Sequence, residues 1–255
     1  MLQSPILMLP DADVDSRVFE PQRKSFPNMV AVDWLLNRED ESLESFADRC
    51  VEQWMSRTEP AIDIVQPYLL GGIGLGGVVA LEMALNSRLI DRPPTAVLLI
   101  GSCRSWEVLP DRFRRRVEFL TKLPRRLSRA LLSTSLVSLL ANREKMDREF
   151  NQLVSRVRQS TSWEVLWNRC QMCFRWHRQA VDIERAAFRV HQIHGRRDQR
   201  FPAPYPEAAT LVLDGGHWIN LSHASAVNNW IDAIVRDQEL ARSGSKMPTA
   251  TNPHE

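Results

Sequence analysis

Leu70-Gly71-Gly72-Ile73-Gly74-Leu75-Gly76-Gly77 is the stretch that decides the fold of this 255-residue chain. Ahead of it, Pro67-Tyr-Leu-Leu reads as a strand, and behind it Leu75 to Ala84 reads as a helix. A strand that turns into a helix this sharply needs backbone dihedrals that glycine adopts easily. Upstream, Pro5-Ile-Leu-Met-Leu-Pro10 is an apolar run between prolines, a buried strand, and Met29-Val-Ala-Val is the next. Asp40 is expected to cap a helix in which Leu43, Phe46, Ala47, Cys50 and Trp54 recur at helical spacing. Downstream, Pro94-Thr-Ala-Val-Leu-Leu-Ile-Gly101 is another strand. Strand and helix alternate over these first hundred residues, and the expected architecture is a mostly parallel sheet of about six strands with helices on both faces.

The pattern changes after Gly101. From Trp106 to Arg185 no strand is evident, but helical stripes are, one through Phe150, Leu153, Val154 and Val157 and one through Trp163, Trp167, Cys170 and Phe174. This reads as an inserted helical cap. The sheet resumes at Phe188-Arg-Val-His-Gln-Ile-His194, and Ala209-Thr-Leu-Val-Leu-Asp214 supplies a last strand. Ser222 is expected to cap a final helix that buries Val227, Trp230, Ile231, Ile234 and Val235. The expected organisation is a core of residues 1–103 and 188–241, a cap of 104–187, and a polar, disordered tail of 242–255.

Composition narrows function only a little. The hydrophobic fraction of 44% and charged fraction of 25% are those of an ordinary soluble globular protein. Residues 31–63 carry nine acidic and three basic side chains, whereas residues 112–129 carry eight basic and one acidic. The basic run suits a solvated helical face, and no nucleic-acid-binding signature accompanies it. No stretch has the length of a membrane span, and the amino terminus lacks the pattern of a signal peptide, so a cytoplasmic location is the default expectation. Cys170-Gln-Met-Cys173 with His177 has metal-like spacing, but the segment reads as helix and the residues as packing; no metal and no cofactor are expected.

Three spaced motifs carry a resemblance. Gly72-Ile-Gly74-Leu-Gly76-Gly77 is followed by His194-Gly195-Arg-Arg-Asp198 with Pro202, and then by Gly215-Gly216-His217-Trp218. Together, over residues 5–238, they resemble the α/β-hydrolase superfamily, in particular its capped esterase- and lipase-like members. The family's elbow reads Gly-x-Ser-x-Gly-Gly, so the resemblance places Gly74 at the nucleophile position, Asp198 as the acid and His217 as the base. It also implies an oxyanion hole with one donor from the backbone N–H of Leu75 and another from Asp11 or Ala12.

Glycine cannot form an acyl-enzyme. Asp11 and Asp13 put negative charge where oxyanion charge would develop, which opposes its stabilisation unless they turn away. The expectation is therefore a degenerate hydrolase, a pseudoenzyme that binds a small apolar molecule without serine-dependent turnover. The rival reading is an active hydrolase, lyase or cofactor-free oxygenase in which an Asp198–His217 pair works through proton transfer or through a water filling the space left at Gly74. Ser102 and Cys103, just beyond a strand end, are substitute-nucleophile and pocket candidates. Trp176, His177 and Trp218 are further pocket candidates.

Overall fold

A computed structural model describes residues 4–56, 67–85, 89, 92–109, 111–123, 162–177, 183–198, 200–202, 210–212 and 214–244. The strands are β1 (Ile6–Leu9), β2 (Met29–Ala31), β3 (Leu69–Ile73), β4 (Ala96–Ile100), β5 (Arg189–Gly195) and β6 (Thr210–Val212). All six pair in parallel, in the order β2-β1-β3-β4-β5-β6. The apolar runs of β1, β3 and β4 are buried along their whole length because both faces of the sheet are covered.

Strand alternation divides the core into two layers. Leu7, Leu9, Leu70, Val97 and Leu99 face helices α2 (Leu43–Ser56) and α3 (Leu75–Ala84), meeting Phe46, Val51, Val78 and Leu81. Ile6, Met8, Leu69, Ile73, Leu98 and Ile100 face the opposite way. They meet Phe19, just ahead of α1 (Glu20–Ser25), and Val227 and Ile231 of the Ala224–Gly244 helix. Each fully buried aliphatic side chain contributes about 2 kcal/mol. α3 comes so close to the end of β1 that a Cβ on Gly76 would lie 2.1 Å from the Pro10 carbonyl oxygen.

The topology fixes where a site can form. From β1 the chain crosses to β2 on one side of the sheet, and β3 then returns to lie on the other. An open parallel sheet has its crevice at such a reversal, beyond the carboxyl ends of the strands. There β1 runs into Pro10-Asp11 and β3 into Gly74.

Two helix caps differ from the sequence reading. Ser42, not Asp40, caps α2, its hydroxyl accepting from the Ser45 N–H at 3.2 Å. Asp40 instead takes a left-handed φ of 51°, which aspartate tolerates better than most residues. Ser222 does not cap the final helix. It ends a short helix, Ile219–Ser222, and donates its hydroxyl to the Trp218 carbonyl at 3.0 Å. The chain turns at His223, and the long helix continues to Gly244, past the expected start of the tail.

Between Trp106 and Arg185 the described residues contain no strand. They form α4 (Asp111–Lys122) and α5 (Trp163–Phe174). The Phe150–Val157 stripe, the side chain of Trp163 and the basic residues Arg125, Arg126 and Arg129 lie outside the described residues. α5 is tied to the core by Trp106 Nε1 donating to the Cys173 carbonyl at 3.0 Å. Just beyond it, Trp176 Nε1 donates to buried Glu82 of α3 at 2.8 Å. Cys170 and Cys173 are buried on α5, and burial pushes both thiols up. Among the described residues no cluster could hold a metal ion, and no helix is long and apolar enough to cross a membrane.

Candidate active site

The turn between β3 and α3 is sharp at one residue. Gly74 has φ 55° and ψ −126°, and it precedes the first residue of α3. This backbone region is strained for any residue with a Cβ. The position is also full. A Cβ built on Gly74 would lie 2.5 Å from Asp11 Cγ, 2.5 Å from Asp11 Oδ1 and 2.7 Å from Asp11 Oδ2. The carboxylate of Asp11, reaching over from the end of β1, stands where a side chain on Gly74 would be. A water filling that space, as the sequence reading allowed, has no room there.

Four donors converge on this carboxylate. Oδ1 accepts the Leu75 N–H at 2.8 Å and the Ala12 N–H at 2.8 Å. Leu75 is the donor, and Ala12 one of the two alternatives for the second donor, that the sequence reading expected in an oxyanion hole. Oδ2 lies 3.0 Å from His217 Nε2 and accepts from Arg200 Nη1 at 2.8 Å. Asp11 therefore does not turn away from these groups; it is bonded to them.

Behind Asp11 the acid and imidazole are paired. His217 Nδ1 is 2.9 Å from Asp198 Oδ2. Asp198 Oδ1 accepts the backbone N–H groups of Arg200 at 2.8 Å and Phe201 at 2.9 Å, so the loop after β5 fixes the carboxylate. The His217 ring is fully buried, with Phe201 stacked at 6.2 Å and Trp218 edge-on at 5.0 Å. Burial opposes its charge, but Asp198 and the hydrogen bonds to Asp11 and Asp198 outweigh burial and raise its pKa to about 9. His217 is thus an imidazolium at neutral pH, donating from both nitrogens. For Asp11, burial is again opposed, by the hydrogen bond and charge of His217 and by the charge of Arg200, and its carboxyl is held well below the usual range.

Arg200 is the organising cation. Besides Asp11 it grips Asp13 in a two-pronged pair, Nη1 to Oδ1 at 3.0 Å and Nη2 to Oδ2 at 2.8 Å. Its guanidinium lies 4.9 Å over the Trp218 ring. Arg169 of α5 donates to the Ala12 carbonyl at 2.8 Å and stacks 4.9 Å over Trp34. Trp34 in turn donates Nε1 to the Pro10 carbonyl at 2.8 Å. Burial brings Arg169 down to about 10, still cationic at neutral pH. Three carboxylates (Asp11, Asp13, Asp198) and three cations (Arg169, Arg200, His217) thus balance in the interior, the condition under which buried charge is tolerated.

The other candidates divide. Trp218 lies against His217 and Arg200. Ser102 is buried behind α3, where a Cβ on Gly77 would meet its Oγ at 2.5 Å. Cys103 is buried and its thiol is pushed up by burial, the opposite of an activated nucleophile. Trp176 points to Glu82, and His177 is exposed. Neither joins the crevice. His194 is buried with Nε2 2.7 Å from the Ser102 carbonyl, and burial lowers its pKa. A cleft of about 300 Å³ does exist, lined by Arg38, Asp40, Glu41, Trp167, Gln171 and Arg175 among others. It is predominantly polar and does not reach Gly74. Arg200 and Arg169 were not singled out from sequence. The available signal was the pair of aspartates after β1, which need cations if buried.

This network sets a pH dependence. His217 has a folded pKa of about 9 against 6.5 ordinarily, so its stabilising contribution is complete below pH 6.5 and is lost as pH rises through about 9. Asp11 has a lowered pKa, so its contribution is complete above its ordinary value of 3.8 and is lost as pH falls through its folded value. Urea unfolding is expected to show stability falling by about 1.4 kcal/mol per pH unit across the alkaline window. A His217→Gln variant should lack that fall. Equal slopes in the two proteins would contradict the assignment.

No family model matches the chain, and no curated protein sequence matches it. Solved structures do. A carboxylesterase structure from the ammonia-oxidizing thaumarchaeon Nitrososphaera gargenis is similar at a TM-score of 0.69 and 12% identity, covering 93% of this chain and 92% of that one. MenH from S. aureus is similar at 0.66 and 14% identity, covering 92% and 94%. A bromoperoxidase from Bacillus anthracis is similar at 0.66 and 16% identity, covering 92% and 92%. At these identities the likeness is one of fold.

Proposed function

We propose that this chain, which has the α/β-hydrolase fold, is a pseudoenzyme whose nucleophile position is Gly74 and whose crevice is closed from within by Asp11. The single observation that carries the reading is the Asp11 carboxylate, within 2.5 Å of a Cβ on Gly74 and bonded by the backbone N–H groups of Leu75 and Ala12. Acyl transfer in this fold needs a nucleophile, a neutral base and an open oxyanion hole. Here the nucleophile position lacks a side chain, His217 carries a proton shared toward Asp11, and the hole holds a carboxylate.

The same geometry works against the rival reading. An imidazolium between two carboxylates is no general base at neutral pH. The small apolar ligand expected from sequence does not suit this crevice either, since charged groups fill it. What remains is a fold kept for its shape, with the Asp198–His217 pair retained as part of a buried ion network whose loss would leave polar groups unpaired.

Hydrolysis of a panel of short acyl esters by the purified chain, beside a His217→Ala control, tests this. Turnover indistinguishable from buffer in both is the expected result. Turnover in the unaltered chain that disappears in the control would overturn the reading.

A further inference from the structure

The surroundings of Asp11 are more specific than a salt bridge requires. Four donors from four parts of the chain converge on one carboxylate and share its oxygens two by two. Oδ1 receives two backbone N–H groups, from the start of α3 and from the loop after β1. Oδ2 receives a guanidinium N–H from the loop after β5 and an imidazolium N–H from the loop after β6. A carboxylate offers about four lone-pair positions, and all are taken. The donors are themselves held: Arg200 by Asp13, His217 by Asp198, Leu75 by the α3 terminus, and the peptide that bears the Ala12 N–H by the Val14 N–H on its Asp11 carbonyl. Donors fixed by other partners keep their aim when the group they serve is removed.

We propose that the seat of Asp11 is a carboxylate-binding site that the chain fills with its own side chain, and that it takes a small free monocarboxylate, formate above all, when that side chain is absent. The inference rests on the reading that Asp11 is the occupant of the crevice. Size sets the ligand class. The turn backbone at Gly74 bounds one side, and Phe201 and Trp218 enclose the imidazole on the other. The space vacated by Asp11→Gly is one methylene and one carboxylate, so formate fits and acetate fills it. Shape sets selectivity, because chloride has one centre and cannot meet the backbone pair and the cation pair together. Charge supplies the drive. Without Asp11, Arg200 and His217 each lose one of their two carboxylate partners, and an entering anion restores both. His217 must keep its proton to donate, so formate binding weakens as pH rises.

The test is thermal unfolding of Asp11→Gly in formate against equal chloride at constant ionic strength. The unfolding midpoint is expected to rise by about 4 °C for each tenfold increase in formate beyond its Kd. The unaltered chain should respond alike to both salts, its seat being full. Formate should also move the Leu75 and Ala12 amide resonances of the variant. Asp11→Ala, which retains a Cβ and its backbone preference, is measured in parallel in case the glycine variant does not fold. Overlapping formate and chloride curves with unmoved amides, in whichever variant folds, would overturn the proposal and leave the loss of hydrolysis standing. Ester turnover by the unaltered chain would do the reverse.

Discussion

Gly74→Ser is expected to destabilise the chain and to give no hydrolysis, whereas Asp11→Gly combined with it is expected to relieve the destabilisation and produce an esterase. The single substitution meets two obstacles. It puts a Cβ on a residue with φ 55°, and it drives that Cβ to 2.5 Å from Asp11 Cγ. Strain and overpacking of this kind cost about 3 kcal/mol. The serine hydroxyl would also face a backbone N–H and an imidazolium already taken by Asp11. Removing the carboxylate reverses every point except the backbone strain. It clears the Cβ, releases the Leu75 and Ala12 N–H groups, and takes away one of the two anions that keep His217 charged. A double-mutant cycle should therefore show a favourable coupling of about 2 kcal/mol in urea unfolding. Short-ester turnover in the double variant should exceed that of Gly74→Ser by about a hundredfold or more, the usual effect of an oxyanion hole. Additive stabilities, or equal turnover in the single and double variants, would contradict this.

Arg200→Met is the second large effect. It removes the cation that Asp11 and Asp13 share, with side chains only about 5% exposed on each of the three residues. Methionine matches much of the arginine stem but leaves two carboxylates facing each other in the interior. Breaking a buried pair from one side costs about 3–5 kcal/mol. The exposed pair Arg236–Asp232, at a similar 2.8 Å, is the internal control. Arg236→Met should change stability by less than about 1 kcal/mol. Equal small effects in the two variants, measured by urea unfolding, would show that Arg200 is not an organising residue. The part of the acid limb that Asp11 supplies should also flatten in Arg200→Met, because the charge of Arg200 helps hold that carboxyl low and its folded pKa moves back toward the unfolded value once the cation is gone.

Much of the fold was legible in the sequence because burial on both sheet faces leaves a plain mark. Ile6–Leu9 and Ala96–Ile100 are uninterrupted apolar runs, and only a covered parallel strand uses such runs. The turn at Gly74 and the Asp198–His217 pair were legible for a different reason: each sits in a short motif whose neighbours constrain it. The helix caps failed by a residue or two, since aspartate and serine suit several turn positions and only tertiary packing chooses among them. The pocket candidates Trp176 and His177 failed because their neighbours, Glu82 in one case and solvent in the other, are not written near them in the chain. The decisive feature, Asp11 in the seat beside Gly74, joins residues 63 positions apart and is clamped by Arg200, 189 positions away. Sequence showed the negative charge and posed the question of where it turned. No local pattern could supply the direction.

The most direct test of the account is the protonation state of His217, followed by ring nitrogen-15 resonances in the unaltered chain and in Asp11→Gly. A carboxylate on each ring nitrogen predicts an imidazolium at neutral pH that titrates near 9 in the unaltered chain. It also predicts a clear drop in that value once Asp11 is removed. A His217 that is neutral at pH 7, with a titration unchanged by Asp11→Gly, would mean that Asp11 does not occupy the crevice, and the account would fail at its centre.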